Sequence, residues 1–275
     1  MLIKNKQKLN KLITDLGGFI RKKKTELFAL NRKITLDTDY WIMDDYKTVK
    51  SYLDDYMRNH YSTKLVNRIK PKGKILIILS YNEPFILSII PVLNALILGN
   101  EVVLKPSREA ESFTRMIWSE SGFVEKYGLN LKIVSSKTHS DIADLIKNVR
   151  AVYFFGSYKV AQIISKICGE YYVEFYPEIE TADSKIFNKD KSSIKNDAIL
   201  TLQESFSHSG QTCQRIQGVF VQKKFYNEYV RTLKQEFIKL CQAKSLNKFV
   251  DNKYALARES MVNMLLIDAG KSKPD

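Results

Sequence analysis

The sequence has few of the features that mark secreted, metal-binding or membrane proteins. Its 275 residues include 3 cysteines, Cys168, Cys213 and Cys241, an odd number at wide spacing. This pattern is neither a disulfide framework nor a zinc motif, so we expect a reducing compartment and no metal. The longest apolar runs, at 75–79 and 85–98, are too short or too interrupted to span a bilayer. The Lys-rich N-terminus lacks the apolar core of a signal peptide, so we expect a cytoplasmic protein without membrane contact.

Acidic residues are the minority among the charged ones. There are 44 Lys and Arg against 30 Asp and Glu, a net charge of +14, and residues 1–74 alone hold 18 against 8. A basic protein can bind nucleic acid or an anionic membrane surface, but no nucleic-acid motif accompanies this charge. We therefore interpret the lysines as solvated helix faces and keep nucleic-acid binding as a minor alternative. Apolar residues at 44% and charged residues at 27% indicate a folded globular protein rather than a disordered or fibrous one.

The spacing of apolar residues predicts two N-terminal helices and then a regular alternation of strands and helices. The N-terminal helices are predicted over 9–33, with a kink at Gly17-Gly18, and over 40–56. The predicted strands cover 75–80, 101–104, 131–134, 151–154 and 171–175, and the predicted helices between them cover 84–98, 110–127, 140–147 and 158–168. Such alternation predicts an α/β fold, a Rossmann-like parallel sheet with helices on both faces.

The alternation loosens after residue 175. We predict a helix over 193–207, a strand over 217–222, a helix over 225–240 and a short helix from Tyr254. The change of rhythm indicates a domain boundary near 176–185.

Three residues could carry bond-making chemistry, and each also has a plain structural interpretation. Cys213 lies on a predicted loop, where a thiolate could attack a carbonyl carbon, or it is an ordinary loop cysteine without a catalytic partner. Asn82 follows the strand at 75–80, where its amide could stabilise an oxyanion, or it is simply a turn or N-cap residue. Glu174 lies at the end of a predicted strand beside aromatic residues and could act as a base, or it is an ordinary surface charge. Cys168 lies in a predicted helix and Cys241 at the end of another, and both indicate packing.

Two further segments suit a phosphate or a ribose. Lys105 and Arg108 are cations that follow the second predicted strand, and Phe155-Gly156-Ser157 precedes the helix at 158–168. A glycine at a helix N-terminus allows a phosphate to approach the backbone. The sequence has neither G-x-G-x-x-G nor G-x-x-x-x-G-K-[ST], so the usual dinucleotide and nucleoside-triphosphate fingerprints do not apply.

Taken in order, these segments resemble the aldehyde dehydrogenase superfamily over about residues 5–245. The most specific match is the segment at 95–107, Ala-Leu-Ile-Leu-Gly-Asn-Glu-Val-Val-Leu-Lys-Pro-Ser. The other matching segments are Asn82, Phe-Phe-Gly-Ser at 154–157, Glu174 after a predicted strand, and Gly-Gln-Thr-Cys at 210–213 followed by Arg215.

The resemblance implies a role for each of these residues. Cys213 would attack an aldehyde to form a thiohemiacetal, Asn82 and the Cys213 backbone N–H would hold the oxyanion, and Glu174 would activate water. The hydride would pass to NAD or NADP. The residues that would contact this cofactor are Ser80, Tyr81, Lys105, Ser107, Arg108, Phe155, Gly156, Ser157 and Val160. Because Arg108 stands where the family often has Glu, and Arg suits a 2′-phosphate, we expect NADP to be slightly favoured.

The resemblance also implies a domain plan: N-terminal helices over 1–74 packing on the cofactor domain, a Rossmann-like NAD(P)-binding domain over 75–178, and an incomplete catalytic domain over 179–275. The chain is shorter than typical family members, so a homo-oligomer or a separate C-terminal half are possible partners.

Two local departures bear on the activity. Glu174-Phe175-Tyr176-Pro177 replaces the family's Glu-Leu-Gly-Gly, and His208, five residues before Cys213, could pair with the thiol. Two alternatives to aldehyde oxidation stay open, a reductase acting on an acyl thioester and an impaired relative that still binds nucleotide.

Overall fold

The computed structural model describes residues 5–58, 70–135, 139–179 and 183–242. The chain divides into two compact units, the first made of residues 1–35 and 43–180 and the second of residues 36–42 and 181–275. The predicted helix from Tyr254 lies outside the described residues. Among the residues that are described, no helix has the length and apolar character needed to cross a membrane.

The N-terminal region forms three helices instead of the two that were predicted. They are α1 (Lys6–Lys22), α2 (Lys24–Thr35) and α3 (Asp39–Arg58). The kink predicted at the paired glycines is wrong: α1 runs through both and ends at Lys22, and the N–H of the C-cap residue Lys23 donates to the Phe19 carbonyl. A side chain at Gly17 would begin 3.9 Å from the Leu53 methyl group. That distance is an ordinary van der Waals contact, so the packing of α3 beside α1 does not depend on glycine at this position.

A five-stranded parallel sheet forms the centre of the first unit, which confirms the predicted fold class. The strands are β1 (Lys74–Ile78), β2 (Glu101–Lys105), β3 (Leu131–Ile133), β4 (Ala151–Gly156) and β5 (Glu174–Ile179). Their order across the sheet is β3-β2-β1-β4-β5, with every neighbouring pair parallel. Both faces of β1 are buried, which explains its unbroken run of Ile and Leu.

Helices follow each of the first four strands. They are α4 (Pro84–Ile97), α5 (Glu111–Trp118), α6 (Phe123–Tyr127), α7 (His139–Ile146) and α8 (Tyr158–Glu170). The single helix predicted over 110–127 is in fact two, because Gly122 adopts a left-handed conformation (φ 71°) between them. On one face of the sheet, Leu76 and Val152 join the core cluster that α7 and α8 contribute to. Ile77 points to the opposite face and is equally buried.

The fifth strand is displaced by three residues from its predicted position. Tyr171 and Tyr172, which suggested a strand, form the turn that ends α8. Tyr172 has a left-handed backbone (φ 55°) and is 96% exposed. Val173 returns to the helix through a hydrogen bond from its N–H to the Cys168 carbonyl. The β-forming tendency of Tyr-Tyr-Val is therefore overridden by a helix-terminating turn.

The second unit has a small parallel sheet of two strands, β6 (Asp183–Phe187), which the sequence did not predict, and β7 (Ile216–Val221). Two helices, α9 (Ile194–Ser205) and α10 (Tyr226–Gln242), pack against it. Their shared core is built on Phe187, Ile194 and Tyr229. The Tyr229 hydroxyl donates to Asp197 at 2.7 Å and lies 2.9 Å from the Thr201 hydroxyl, so this buried polar group is satisfied.

Candidate functional site

The carboxyl end of β1 carries a short polar segment, Ser80-Tyr81-Asn82. The β1–β2 ladder extends one residue past the strand through a hydrogen bond from Leu79 N–H to the Lys105 carbonyl (3.0 Å). The Ser80 hydroxyl then donates to Asn82 Oδ1 at 2.6 Å. Because the amide oxygen is the acceptor in this bond, the Asn82 NH₂ group is directed elsewhere, in part toward Glu83 (3.4 Å). Asn82 is therefore held in one orientation at the edge of the sheet.

The carboxyl end of β2 carries Lys105, which is partly buried. Burial lowers the pKa of its ammonium group, against the opposing charges of Glu111 and Glu109. A poorly hydrated ammonium favours an anionic or hydroxyl ligand. Two residues on, Ser107 uses its hydroxyl to accept the Ala110 N–H at 3.2 Å, which shapes the turn into α5.

Arg108 follows Ser107 in this turn and projects into solvent. Its side chain is 94% exposed, and its guanidinium lies 3.7 Å from the Glu109 carboxylate. Such an exposed pair contributes little to stability, so Arg108 can reorient at little cost.

The carboxyl end of β4 carries Phe155-Gly156-Ser157. A Cβ placed on Gly156 would lie 2.6 Å from the Phe154 ring, so any side chain here would have to displace that buried ring. Ser157, in an extended conformation, is the N-cap of the 13-residue helix α8. The first backbone N–H groups of a helix have no partner within it, and together with the helix dipole they favour a phosphate. Val160, in this first turn, is 42% exposed.

These three segments meet at one edge of the sheet, because β2, β1 and β4 are parallel neighbours. Register places Ile78 opposite both Lys105 and Phe154. From β1 the chain adds β2 and β3 on one side of the sheet, and it then returns to add β4 and β5 on the other side. Open α/β sheets bind ligands at such a switch point, which here lies between β1 and β4. The structure therefore brings the predicted residues of the first unit to the expected edge, with one exception.

The exception is Glu174, whose predicted place at the end of a strand is wrong. It is the first residue of β5 and pairs with Ala151, the first residue of β4, so it lies at the amino edge of the sheet. There its carboxylate accepts hydrogen bonds from Lys72 and Tyr176, which lower its pKa. A carboxylate held ionised by a lysine is a weak proton acceptor.

Glu178 is the carboxylate that lies at the carboxyl end of β5. It is exposed, and it pairs with Phe155 immediately before the Gly156–Ile179 pair. In sequence, Glu178-Ile179 matches the Glu-Leu of the family motif better than Glu174-Phe175 does. Glu178 could have been identified from the turn after α8, because this turn makes the fifth strand begin three residues later than predicted.

Cys213 belongs to the second unit, on the connection between α9 and β7. It is exposed, whereas its neighbour Thr212 is 7% exposed. The preceding turn, Ser207–Gly210, has left-handed backbone at His208 (φ 49°), Ser209 (φ 57°) and Gly210 (φ 75°). His208, considered above as a partner for the thiol, has its Nδ1 atom 3.0 Å from a carboxylate oxygen of Asp37. No pattern in the sequence pointed to Asp37, which lies 171 residues away in the chain.

Reaction with iodoacetamide at neutral pH is expected to alkylate Cys213 in the folded protein and to leave Cys168 unmodified. Cys168 is 1% exposed, and burial raises the pKa of its thiol to about 11. Peptide mass mapping before and after unfolding in urea measures both sites. Equal labelling of the two thiols in the folded state would contradict this assignment.

Comparison with known proteins agrees with this geometry. The family model described as "Aldehyde dehydrogenase family" matches residues 1–252. The chain belongs to the aldehyde dehydrogenase family. It is 24% identical over 277 residues to 4,4′-diaponeurosporen-aldehyde dehydrogenase from Staphylococcus aureus, covering 97% of this chain and 59% of that protein. It is 26% identical over 247 residues to 3-sulfolactaldehyde dehydrogenase from Priestia megaterium, covering 87% of this chain and 50% of that protein.

Solved structures show the same aldehyde dehydrogenase fold. The aldehyde dehydrogenase from Bartonella henselae has a TM-score of 0.70 and 17% identity, with 85% of this chain and 52% of that chain covered. A succinic semialdehyde dehydrogenase from Streptococcus pyogenes in complex with NADP⁺ has a TM-score of 0.68 and 15% identity, with 86% and 56% covered. The chain thus spans about half the length of the relatives it matches.

Proposed function

We propose that this aldehyde dehydrogenase chain binds NAD(P) at the carboxyl edge of its parallel sheet and takes part in oxidising a small aldehyde through Cys213. The observation that carries the proposal is the convergence of Asn82, Lys105 and the Gly156-Ser157 turn at the switch point between β1 and β4. Two relatives that match this chain over about half of their own length are named as dehydrogenases of particular aldehydes, which supports an aldehyde as the substrate class.

The residues at this edge suit a dinucleotide. Lys105 offers a partly buried ammonium to a ribose hydroxyl or a phosphate. Gly156, where a side chain would collide with the Phe154 ring, and the N-terminus of α8 offer backbone N–H groups to a pyrophosphate. The remaining proposed contacts are Ser80, Tyr81, Ser107, Arg108, Phe155 and Val160. When bound, the cofactor accepts the hydride.

In the proposed reaction the Cys213 thiolate adds to the aldehyde carbon, forming a C–S bond and an oxyanion. The Asn82 amide and the Cys213 N–H donate hydrogen bonds to this oxyanion. Loss of hydride oxidises the thiohemiacetal carbon to a thioester. Water, deprotonated by a carboxylate, then breaks the C–S bond, which releases the acid and regenerates the thiol. The net change consumes one aldehyde, one oxidised cofactor and one water, and yields one carboxylate, one reduced cofactor and two protons.

Oxidation of straight-chain aldehydes and benzaldehyde in the presence of NAD⁺ or NADP⁺, followed by absorbance of the reduced cofactor, tests this function. Binding of NADH and NADPH is titrated separately by fluorescence. We expect binding of both, with NADPH the tighter because the exposed Arg108 guanidinium suits a 2′-phosphate. Reduction of an acyl-CoA with NADPH, in place of aldehyde oxidation, would instead identify a reductase. Binding without any turnover would identify an impaired relative, and no binding would overturn the proposal.

Glu178→Gln is expected to slow release of the acid by about 10²–10⁴-fold, the usual contribution of a general base. We assign this role to Glu178 rather than Glu174 because Glu178, unlike Glu174, lies at the ligand-binding edge of the sheet. Glu174→Gln is the matched control and is expected to leave turnover unchanged. Pre-steady-state kinetics checks both variants, since the Glu178→Gln enzyme should still give a burst of reduced cofactor. A slow Glu174→Gln enzyme with a normal Glu178→Gln enzyme would reverse the assignment.

A further inference from the structure

A buried carboxylate supports the turn that leads to Cys213. Asp37 belongs to the second unit and is 2% exposed. One of its oxygens lies 3.0 Å from His208 Nδ1, and the other accepts the Ser209 hydroxyl at 2.9 Å. The indole of Trp41 lies 5.0 Å from the His208 imidazole, tilted by 32°. Burying a carboxylate is costly unless its oxygens are hydrogen-bonded. In Asp37 each of the two oxygens has such a partner in this turn.

The turn that Asp37 binds has an unfavourable backbone. His208 and Ser209 both adopt the left-handed region, which residues with a side chain rarely occupy, and they do so consecutively. Such strain persists only where surrounding contacts enforce it, and it is typical of functional sites. The two hydrogen bonds to Asp37 hold the two strained residues through their side chains. The carboxylate therefore helps to set the backbone direction at 208–209.

A short, hydrogen-bonded segment connects the turn to Cys213, so the backbone conformation at 208–209 constrains the position of the thiol. The Gln211 N–H donates to the His208 carbonyl at 3.0 Å, and the Gln211 side chain donates to the same carbonyl at 3.2 Å. Thr212 is buried, so the chain has little freedom between the turn and Cys213. A change in the His208 backbone would therefore displace Cys213.

We propose that Asp37 is a positioning residue for the Cys213 thiol, acting through the side chains of His208 and Ser209. The proposal rests on the function proposed above, in which Cys213 is the nucleophile. Asp37 needs no contact with substrate in this role. Its effect is to limit the positions that the sulfur can adopt, and reaction rates are sensitive to displacements of about 1 Å.

Asp37→Asn is the decisive variant, because an amide has one acceptor oxygen where the carboxylate has two. Asp190→Asn is the matched control: Asp190 is an exposed carboxylate of the same unit that also accepts hydrogen bonds from two serines, Ser192 and Ser193. We expect Asp37→Asn to lower kcat for aldehyde oxidation by about 10–100-fold while KM and the cofactor Kd stay unchanged. The control should leave all three constants unchanged.

A second readout does not depend on turnover. Cys213 is alkylated with bromotrifluoroacetone in a Cys241→Ser background, and its ¹⁹F resonance is recorded. We expect Asp37→Asn to shift and broaden this resonance and Asp190→Asn to leave it in place. If the wild-type protein shows no oxidation, the ¹⁹F spectrum still decides whether Asp37 positions the thiol, so failure of the proposed function is separable from failure of this inference.

Ser209→Ala provides the test if Asp37→Asn does not fold, since it removes one of the two hydrogen bonds and leaves the charge in place. It is expected to move the ¹⁹F resonance in the same direction by a smaller amount. A folded Asp37→Asn or Ser209→Ala protein with the wild-type resonance and wild-type kcat would overturn the proposal. An equal effect of Asp190→Asn would also overturn it, because the perturbation would then not be specific to the turn.

Discussion

Replacing Cys213 with alanine is expected to abolish aldehyde oxidation, a loss of about 10⁴-fold or more, as for other catalytic nucleophiles. Without the thiolate no C–S bond forms, and the aldehyde carbon is never converted to the tetrahedral species that gives up a hydride. NADPH binding, titrated by fluorescence, is expected to match the wild type. The proposed cofactor contacts all lie in the first unit, at the ends of β1, β2 and β4, whereas Cys213 belongs to the second.

Cys168→Ala is the matched control for this experiment. It makes the same change of side chain at a thiol that is packed in the apolar cluster beneath α8. It is expected to leave kcat unchanged, since a thiol that is 1% exposed with a pKa raised by burial cannot reach a substrate. Reduced cofactor formed by the Cys213→Ala protein at the wild-type rate would remove the thiol from the reaction. Loss of NADPH binding in that protein would instead indicate that the substitution damages the fold.

The central strands were predictable from sequence because their runs of apolar residues contain no turn or helix-terminating signal. In β1 every residue from Ile75 to Ile78 is buried, so burial and apolar character coincide. The fifth strand was misplaced because Tyr172 has high β-propensity but occupies a helix-terminating turn that the hydrogen bond from Val173 enforces. Strand β6 was missed because its burial alternates, with Phe187 buried and Ile186 74% exposed, so that it has no continuous apolar run. Local propensity is a weak guide wherever tertiary contacts decide the backbone.

The candidate site was predictable to the same extent as the strands that carry it. Lys105 and Gly156 end their strands and Asn82 follows β1; the ends of these strands were predicted within two residues, and all three residues lie at the ligand-binding edge. Glu174 was misassigned because a shift of three residues moves a carboxylate from one edge of a sheet to the other. Asp37 could not be predicted at all, since its two partners in the Ser207–Gly210 turn are 171 and 172 residues away and a lone aspartate has no spacing to interpret.

Trp118→Ala is expected to destabilise the protein by about 3–5 kcal/mol, among the largest costs of any single core truncation. The indole is completely buried at the end of α5, and its N–H donates to the Ser88 carbonyl of α4 at 2.6 Å. Beside it, the hydroxyls of Ser88 and Thr114 lie 2.9 Å apart, so a second hydrogen bond joins the two helices. Removing the indole leaves a large cavity and eliminates the hydrogen bond that joins α5 to the Ser88 carbonyl of α4. Urea unfolding followed by circular dichroism measures the change.

Two further variants separate these contributions. Trp118→Phe keeps most of the ring volume and removes the N–H, so it is expected to cost about 0.5–1.5 kcal/mol, the net contribution of one hydrogen bond. Tyr172→Ala truncates an aromatic side chain that is 96% exposed and is expected to change stability by less than about 0.5 kcal/mol. A Trp118→Ala protein as stable as Tyr172→Ala would mean that α4 and α5 close over the cavity. Because α4 begins directly after Asn82-Glu83, such a movement would also displace the Asn82 amide, and the oxyanion contact assigned to it would then weaken in parallel.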